Sequence, residues 1–295
     1  MKQAFLFSLV FLLFVACNTH AKQSAALTKD NKSLLWRVNK KGIAKNSYLF
    51  GTIHVICKED YLWTDSMKQA LKQSESVCFE MDISDKNTMY QAAIGMLDKS
   101  GKQLKDYFSA AEYKKLETFI KDSLNMGMGL EMFQQMKPTA LLSLFATKNV
   151  NCSNSISYEE TILATAQEDK KTIDGLEQMQ EQLALFDNMP IDSVVKDIVQ
   201  SMDSFTTAKN AYAQMLADYK NQDLPRLYEA IQTSKELGDD MGAFLDDRNQ
   251  KWIGRMEDKM KSRSVFFAVG AGHLWGEKGV INLLRKAGYT VEPVK

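Results

Sequence analysis

The chain has 295 residues, and its 37 lysines and arginines are balanced by 37 aspartates and glutamates. This balance argues against nucleic acid as a partner, because no excess of basic residues is available to contact phosphates. Beyond the N-terminal segments, about 260 residues remain, which is near the upper size of one hydrophobic core. No low-complexity linker interrupts them, so we predict one folded unit.

The first 17 residues predict export and a lipid anchor. Met1-Lys2 precedes an apolar run from Ala4 to Ala16, in the order of a secretory signal. The run is too short to span a bilayer. It ends in LFVAC, which resembles a bacterial lipobox, so we expect lipidation at Cys17. The alternative is an ordinary cleaved signal peptide that contains a cysteine.

These features define the expected organisation and location. Residues 1–17 are the signal peptide with its lipobox, and the polar, aperiodic residues 18–32 predict a flexible tether. Residues 33–295 then form the folded domain. We expect a lipid-anchored protein of the bacterial cell envelope that contacts the membrane through its anchor only.

Strand patterns lie at both ends of the folded domain, with helical patterns between them. SLLWRV (33–38) and SYLFGTIHV (47–55) predict a hairpin, ESVCFEMDI (75–83) a third strand, and SVFFAVGAG and YTVEPV the strands at the end. Residues 86–262 are overwhelmingly helical, with a short strand near 170–176. In SYEETILATAQED, Ser157 and Glu160 have the spacing of a capping box. We predict an α/β (α+β-like) fold whose central sheet is formed by the N- and C-terminal segments, with a large helical insertion at about 86–262.

Three further cysteines follow Cys17, so at most one internal pair forms in an oxidising compartment. Cys78 lies in a predicted strand, whereas Cys57 and Cys152 lie in loop-like stretches. We therefore predict a Cys57–Cys152 disulfide; the alternative is three unpaired thiols.

Two of the three histidines, His54 and His273, end apolar runs in Gly-x-x-His stretches, YLFGTIHV and FFAVGAGHLW. Taken singly, each histidine could be a hydrogen-bonded core residue without a functional role. Together they predict a site at a sheet end, where α/β folds gather functional groups. Two imidazoles suit a hydrolytic metal site that needs a third ligand. Glu80, near the end of its predicted strand, is the best candidate, either as ligand or as general base.

Arg248 is unusual because it falls within the apolar stripe of its predicted helix, between Leu245 and Trp252. One interpretation is that its guanidinium reaches solvent while the stem packs on the apolar surface. The other is that it stabilises an oxyanion.

The chain resembles the TraB/GumN family, which is related to the TIKI metalloproteases. The resemblance covers nearly all of the folded domain and rests on five stretches, namely YLFGTIHV, CFEMD, DKKTIDGLEQMQEQL, DDRNQKWIGRM and FFAVGAGHLWGEKGVINLLRKAGYTVEPV. It implies an α/β fold and, from the TIKI branch, a peptidase that uses a divalent metal ion, manganese or cobalt in preference to zinc. Carried over by residue, it places His54, Glu80 and His273 at the metal, with Glu177, Arg248 and Asn249 nearby.

The leading hypothesis is therefore a metal-dependent hydrolase of the peptidase class that acts on a peptide or protein substrate. Two alternatives remain. One is an esterase-like hydrolase of small molecules, and the other is a tethered protein that binds a ligand without chemistry.

Overall fold

The computed structural model describes residues 32–124, 126, 129–150, 152–233 and 242–295. The predicted signal peptide, Cys17 and all but the last residue of the predicted tether lie outside the described residues. Among the helices that are described, none combines the length and the apolar character needed to cross a membrane.

The described residues contain eight β-strands: β1 (Leu35–Asn39), β2 (Ser47–Thr52), β3 (Ile56–Cys57), β4 (Ser76–Met81), β5 (Ser155–Ile156), β6 (Thr172–Glu177), β7 (Val265–Gly270) and β8 (Thr290–Pro293). Six of these described strands form the central sheet in the order β6-β4-β7-β2-β1-β8, and β3 pairs with β5 in a separate two-stranded sheet. The neighbours β6, β4, β7 and β2 run parallel, whereas β1 is antiparallel to β2 and to β8.

Ten α-helices lie within the described ranges: α1 (Asp65–Gln73), α2 (Lys86–Gly95), α3 (Ala110–Thr118), α4 (Thr139–Lys148), α5 (Tyr158–Glu168), α6 (Met179–Asp187), α7 (Ile191–Lys220), α8 (Leu224–Thr233), α9 (Asp247–Met260) and α10 (Val280–Lys286). The fold is thus α/β, as predicted. Ser157 caps α5, since its side chain accepts a hydrogen bond from the Glu160 amide at 3.3 Å.

The sheet joins the two ends of the chain, because β2 from the N-terminal part pairs in parallel with β7 from the C-terminal part. One strand of the central sheet comes from the middle of the chain. We predicted a central sheet formed by the terminal segments, and that prediction did not include this strand. This strand, β6, pairs with β4, and Gly175 permits their close approach. A Cβ atom at Gly175 would lie 2.5 Å from the backbone nitrogen of Asp82.

The described residues bury two separate hydrophobic clusters. The first covers both faces of the sheet and includes Phe50, Phe79, Phe266 and Trp252. The second lies in the helical segment, where α3, α4 and the first half of α7 pack together; it includes Leu116, Phe119, Ile120, Leu124, Phe145, Ile198 and Phe205. Helical spacing places Leu116, Phe119, Ile120 and Leu124 on one face, and all four are buried in the second cluster.

Helix α7 connects the two clusters. Its 30 residues span about 45 Å at the usual rise of an α-helix. Ile198 near its start is buried in the second cluster, and Tyr219 near its end is buried in the first. On the way it passes the loop after β2, where the Tyr212 hydroxyl donates a hydrogen bond to the Val55 carbonyl at 2.8 Å.

A disulfide joins Cys57 to Cys152, the pair expected from the sequence. Cys78 is a buried free thiol in β4, and burial raises its pKa to about 12. The disulfide links β3 to the segment just before β5, so it closes the small sheet that these two strands form.

Candidate functional site

The candidate residues lie at the carboxyl edge of the four parallel strands. In sheet order, Glu177 ends β6, Glu80 is the penultimate residue of β4, and His273 and His54 follow β7 and β2. Strand β2 ends at Thr52, two residues before His54, which therefore lies in a loop and not in the strand predicted for 47–55. Parallel strands deliver their carboxyl ends to one edge, which explains how residues more than 200 positions apart meet.

His54, Glu80 and His273 surround Gly270, the first residue of the second Gly-x-x-His motif. The Gly270 amide donates a hydrogen bond to Glu80 Oε1 at 2.8 Å. A Cβ atom at Gly270 would lie 3.3 Å from Glu80 Oε1, 3.6 Å from His273 Cδ2 and 3.8 Å from His54 Nε2. The missing side chain thus leaves a space that the three predicted metal ligands border.

Asn249 determines which nitrogen of His273 carries the proton. The Asn249 amide group donates to the Lys278 carbonyl at 3.0 Å, so its oxygen accepts from His273 Nδ1 at 2.7 Å. His273 Nε2 is then the nitrogen with the lone pair, and it lies 3.8 Å from Glu80 Oε1. Burial lowers the pKa of His273 to about 3, so its imidazole is neutral.

Arg248 is buried and does not reach solvent, so the first interpretation of its position in the apolar stripe is wrong. Its Nη2 donates to Glu80 Oε2 at 2.7 Å and to Glu177 Oε2 at 2.9 Å. Its Nη1 lies 3.2 Å from His273 Nε2. The reason is charge: two carboxylates at the sheet edge need a cation close by when they are removed from water.

Glu177 contacts one of the other site residues, Arg248. Besides Arg248, it accepts hydrogen bonds from the Trp252 indole at 2.8 Å and from the Gln182 amide at 3.1 Å. Glu177 and Asn249 are thus positioned to hold Arg248 and His273.

The Glu80 carboxylate is ionised. Burial by itself raises a carboxyl pKa, but the Arg248 guanidinium, the charge on His54 and the Gly270 amide outweigh it and hold the pKa of Glu80 well below its usual range. An ionised carboxylate can accept a proton or bind a cation.

His54 is held by Glu159, a residue that the sequence analysis did not identify. His54 Nδ1 donates to Glu159 Oε1 at 3.1 Å. This hydrogen bond and the carboxylate charge raise the pKa of His54 to about 9, so His54 must lose a proton before its Nε2 can bind a cation. One feature of the sequence could have indicated Glu159. Two glutamates follow Ser157, and the capping pattern accounts only for Glu160, which leaves Glu159 without an assigned role.

The donor types fit a divalent cation. Two imidazoles and a carboxylate are ligands that zinc, manganese and cobalt accept. Each imidazole is hydrogen-bonded through Nδ1, to Glu159 or to Asn249, and this is how metal-binding histidines are usually oriented. Within the described ranges, no group of three or more His, Cys, Asp and Glu side chains is arranged closely enough to enclose an ion. His54, Glu80 and His273 are nevertheless the residues that would hold it.

The chain is similar to known proteins along almost all of its described length. Residues 34–293 match the model of the TraB/PrgY/gumN family. The chain belongs to this family. Its curated relatives include the metalloprotease TIKI2 of Danio rerio, 24% identical over 90% of this chain and 61% of the relative. TIKI2 of Xenopus tropicalis is 25% identical, over 90% and 60%, and the TIKI homologue of Amphimedon queenslandica is 24% identical, over 93% and 62%.

The family match runs from β1 to β8 and so includes every element that contributes to the site. The chain spans about three fifths of the length of these curated relatives. No solved structure matches it. In this family member, the sheet edge therefore combines an ionised carboxylate, two oriented imidazoles and a buried guanidinium.

Proposed function

We propose that this chain is a metal-dependent hydrolase of the peptidase class that acts on a peptide or protein substrate. One observation carries the proposal: His54, Glu80 and His273 border the same space above Gly270, with both imidazoles held through Nδ1. The names of the TIKI relatives, which are metalloproteases, support the metal and the substrate class. Manganese or cobalt is the expected ion, with zinc as a further candidate.

When bound, a divalent cation supplies Lewis acidity and lowers the pKa of a coordinated water. The chain's own residues supply the rest. Glu80 binds the cation or accepts the proton of the attacking water. Asn249 holds His273 with Nε2 as the nitrogen that would bind the cation. Arg248 Nη1 now donates to the Phe244 carbonyl at 3.1 Å and lies 3.2 Å from His273 Nε2; once that lone pair binds a cation, the freed N–H can stabilise a developing oxyanion.

We also propose that the protein works at the bacterial cell envelope, anchored through a lipid on Cys17. The Cys57–Cys152 disulfide supports an exported location, because such bonds persist in oxidising compartments. Radioactive palmitate labelling of the wild type and of Cys17→Ala tests the anchor. Label in the wild type only is expected, and equal label in both would contradict it.

The decisive experiment compares metal content and peptide cleavage in the full-length wild type, His54→Ala and His273→Ala, purified in detergent. Manganese, cobalt and zinc are each supplied to metal-stripped protein. We expect both variants to lose bound metal and cleavage, whereas His20→Ala, which removes the histidine of the predicted tether, keeps both. Unchanged metal content and cleavage in His54→Ala and His273→Ala would sink the proposal.

A tethered binding protein is the second candidate, and the Arg248 network favours it, because the guanidinium already forms ion pairs with Glu80 and Glu177 without a metal ion. A panel of peptides and small esters separates the possibilities. Peptide cleavage that a chelator stops supports the peptidase, and cleavage of the esters alone supports an esterase. Tight binding of an uncut peptide in the presence of the chelator supports the binding protein.

A further inference from the structure

The imidazole of His54 needs a partner to hold its orientation. Its side chain is 70% exposed, so packing does not restrict the ring. His273 differs, because its side chain is 5% exposed and its ring packs against Trp252, with the centroids 4.4 Å apart and the planes tilted by 36°. The hydrogen bond from His54 Nδ1 to Glu159 Oε1 is therefore what fixes the ring.

Glu159 is itself held in place by two hydroxyl groups. Thr52, the last residue of β2, donates to Glu159 Oε1 at 2.6 Å. Ser157, the cap of α5, donates to Glu159 Oε2 at 3.0 Å. The Glu159 side chain is only 18% exposed. Because both oxygens are hydrogen-bonded, the carboxylate has one orientation. The hydrogen bond from His54 Nδ1 to Oε1 therefore orients the His54 ring as well.

The backbone around Glu159 is tied to the backbone around His54. Strands β3 and β5, which follow His54 and precede Glu159, pair through Ile56 and Ile156. The Lys58 amide donates to the Asn154 carbonyl at 3.0 Å. The Cys57–Cys152 disulfide closes the same pair of segments. This small sheet consists of two residues in each strand. It keeps the segment that follows His54 in register with the segment that precedes Glu159.

From these contacts we infer that Glu159 is a positioning residue for His54. By accepting the Nδ1 proton, it leaves Nε2 as the nitrogen that faces the space above Gly270. The part of this inference in which His54 binds a metal rests on the proposed function. The part in which Glu159 selects the tautomer of His54 does not depend on the proposed function.

Manganese binding to the full-length protein is the first test, measured by isothermal titration with the metal alone. Glu159→Ala should weaken binding about 10- to 100-fold, the usual loss when such a partner is removed. Glu159→Gln should recover much of it, because an amide oxygen still accepts from Nδ1. The matched control is Glu160→Ala, the next residue on α5, whose side chain is exposed; it should bind as the wild type does.

The second test needs no metal. Two-bond proton–nitrogen correlation spectra, recorded at least one pH unit above the His54 pKa of about 9 so that the imidazole is neutral, report which ring nitrogen carries the proton. The His54→Ala spectrum assigns the His54 signals. In the wild type and in Glu160→Ala, Nδ1 should be protonated. In Glu159→Ala, Nδ1 should become the nitrogen with the lone pair, while the His273 signals stay unchanged.

The two tests separate the possible failures. A wild type that binds no manganese but shows the Nδ1 change in Glu159→Ala would overturn the metal-dependent function and leave the positioning role intact. A Glu159→Ala protein with wild-type His54 signals and wild-type manganese affinity would overturn the positioning role. Thermal unfolding of each variant checks that the fold is retained, and Glu159→Gln provides the comparison if Glu159→Ala unfolds.

Discussion

Arg248 balances the charge of the site. Its guanidinium contacts the carboxylates of Glu80 and Glu177 and the Nε2 atom of His273, all of which are largely removed from solvent. Two buried carboxylates without a cation would repel each other and lack solvation. The same guanidinium therefore stabilises the fold at the sheet edge and lowers the pKa of Glu80.

Replacing Arg248 with methionine should lower the free energy of unfolding by about 3–5 kcal/mol, because it leaves Glu80 and Glu177 buried without their partner. Urea denaturation measures the change. Adding Glu177→Gln to the same variant should restore part of the loss, since one of the two charges is then gone.

The matched control for this substitution is Lys251→Met, an exposed cation on the same helix, which should change stability by about 0.5 kcal/mol or less. If Arg248→Met is as stable as Lys251→Met, Arg248 does not have this role.

At the residue scale, the candidate ligands could be predicted, but the hydrogen bonds that hold them could not. His54 and His273 share a motif, and Glu80 lies near the end of an alternating strand, all of which are local features. Glu159 reaches His54 across 105 positions, and no local pattern marks that contact. The burial of Arg248 likewise depends on two carboxylates from β4 and β6.

At the scale of elements, the end of β7 shapes the site. Gly270 has an ordinary extended backbone, with a φ of −53° and a ψ of 135°. It is therefore needed for space and not for its conformational freedom. A Cβ atom there would press on Glu80 Oε1 at 3.3 Å and would enter the space that His54 and His273 border.

Gly270→Ala should reduce peptide hydrolysis about 10-fold or more, because small displacements of site groups have large effects on rate. Its stability should change by about 1 kcal/mol or less. Steady-state kinetics and urea denaturation provide the two measurements.

The comparison variant for Gly270→Ala is Gly254→Ala, an exposed position of α9 with open space around it. It should be stabilised by about 0.5–1 kcal/mol and keep full activity. Equal kinetics in the two variants would argue that the space above Gly270 is not used.

At the scale of the whole molecule, the helical insertion has a hydrophobic cluster of its own. Phe119 lies at its centre, with ring centroids 5.0 Å from Phe145 and 5.0 Å from Phe205. Helix α7 links this cluster to the one around the sheet and passes the loop that carries His54. A cavity made in the second cluster should therefore destabilise that cluster more than the cluster around the sheet.

Phe119→Ala should destabilise the second cluster by about 3–5 kcal/mol. Hydrogen exchange should show faster exchange in α3 and α4, whereas β7 should keep its protection, because its contacts belong to the other cluster. Met132→Ala, at a side chain 60% exposed, serves as the surface control. Equal loss of protection in β7 would mean that the two clusters unfold as one unit.

The sequence by itself indicated most of the elements and the candidate site residues, because alternation, helical spacing, capping and short motifs are properties of neighbouring residues. It also indicated the Cys57–Cys152 pair, since the third cysteine lies in a strand. Only the tertiary structure decided that β6 joins the sheet beside β4, that Arg248 is shared by two carboxylates and that Glu159 holds His54. These contacts join distant parts of the chain, and their geometry follows from the order of the strands and from burial.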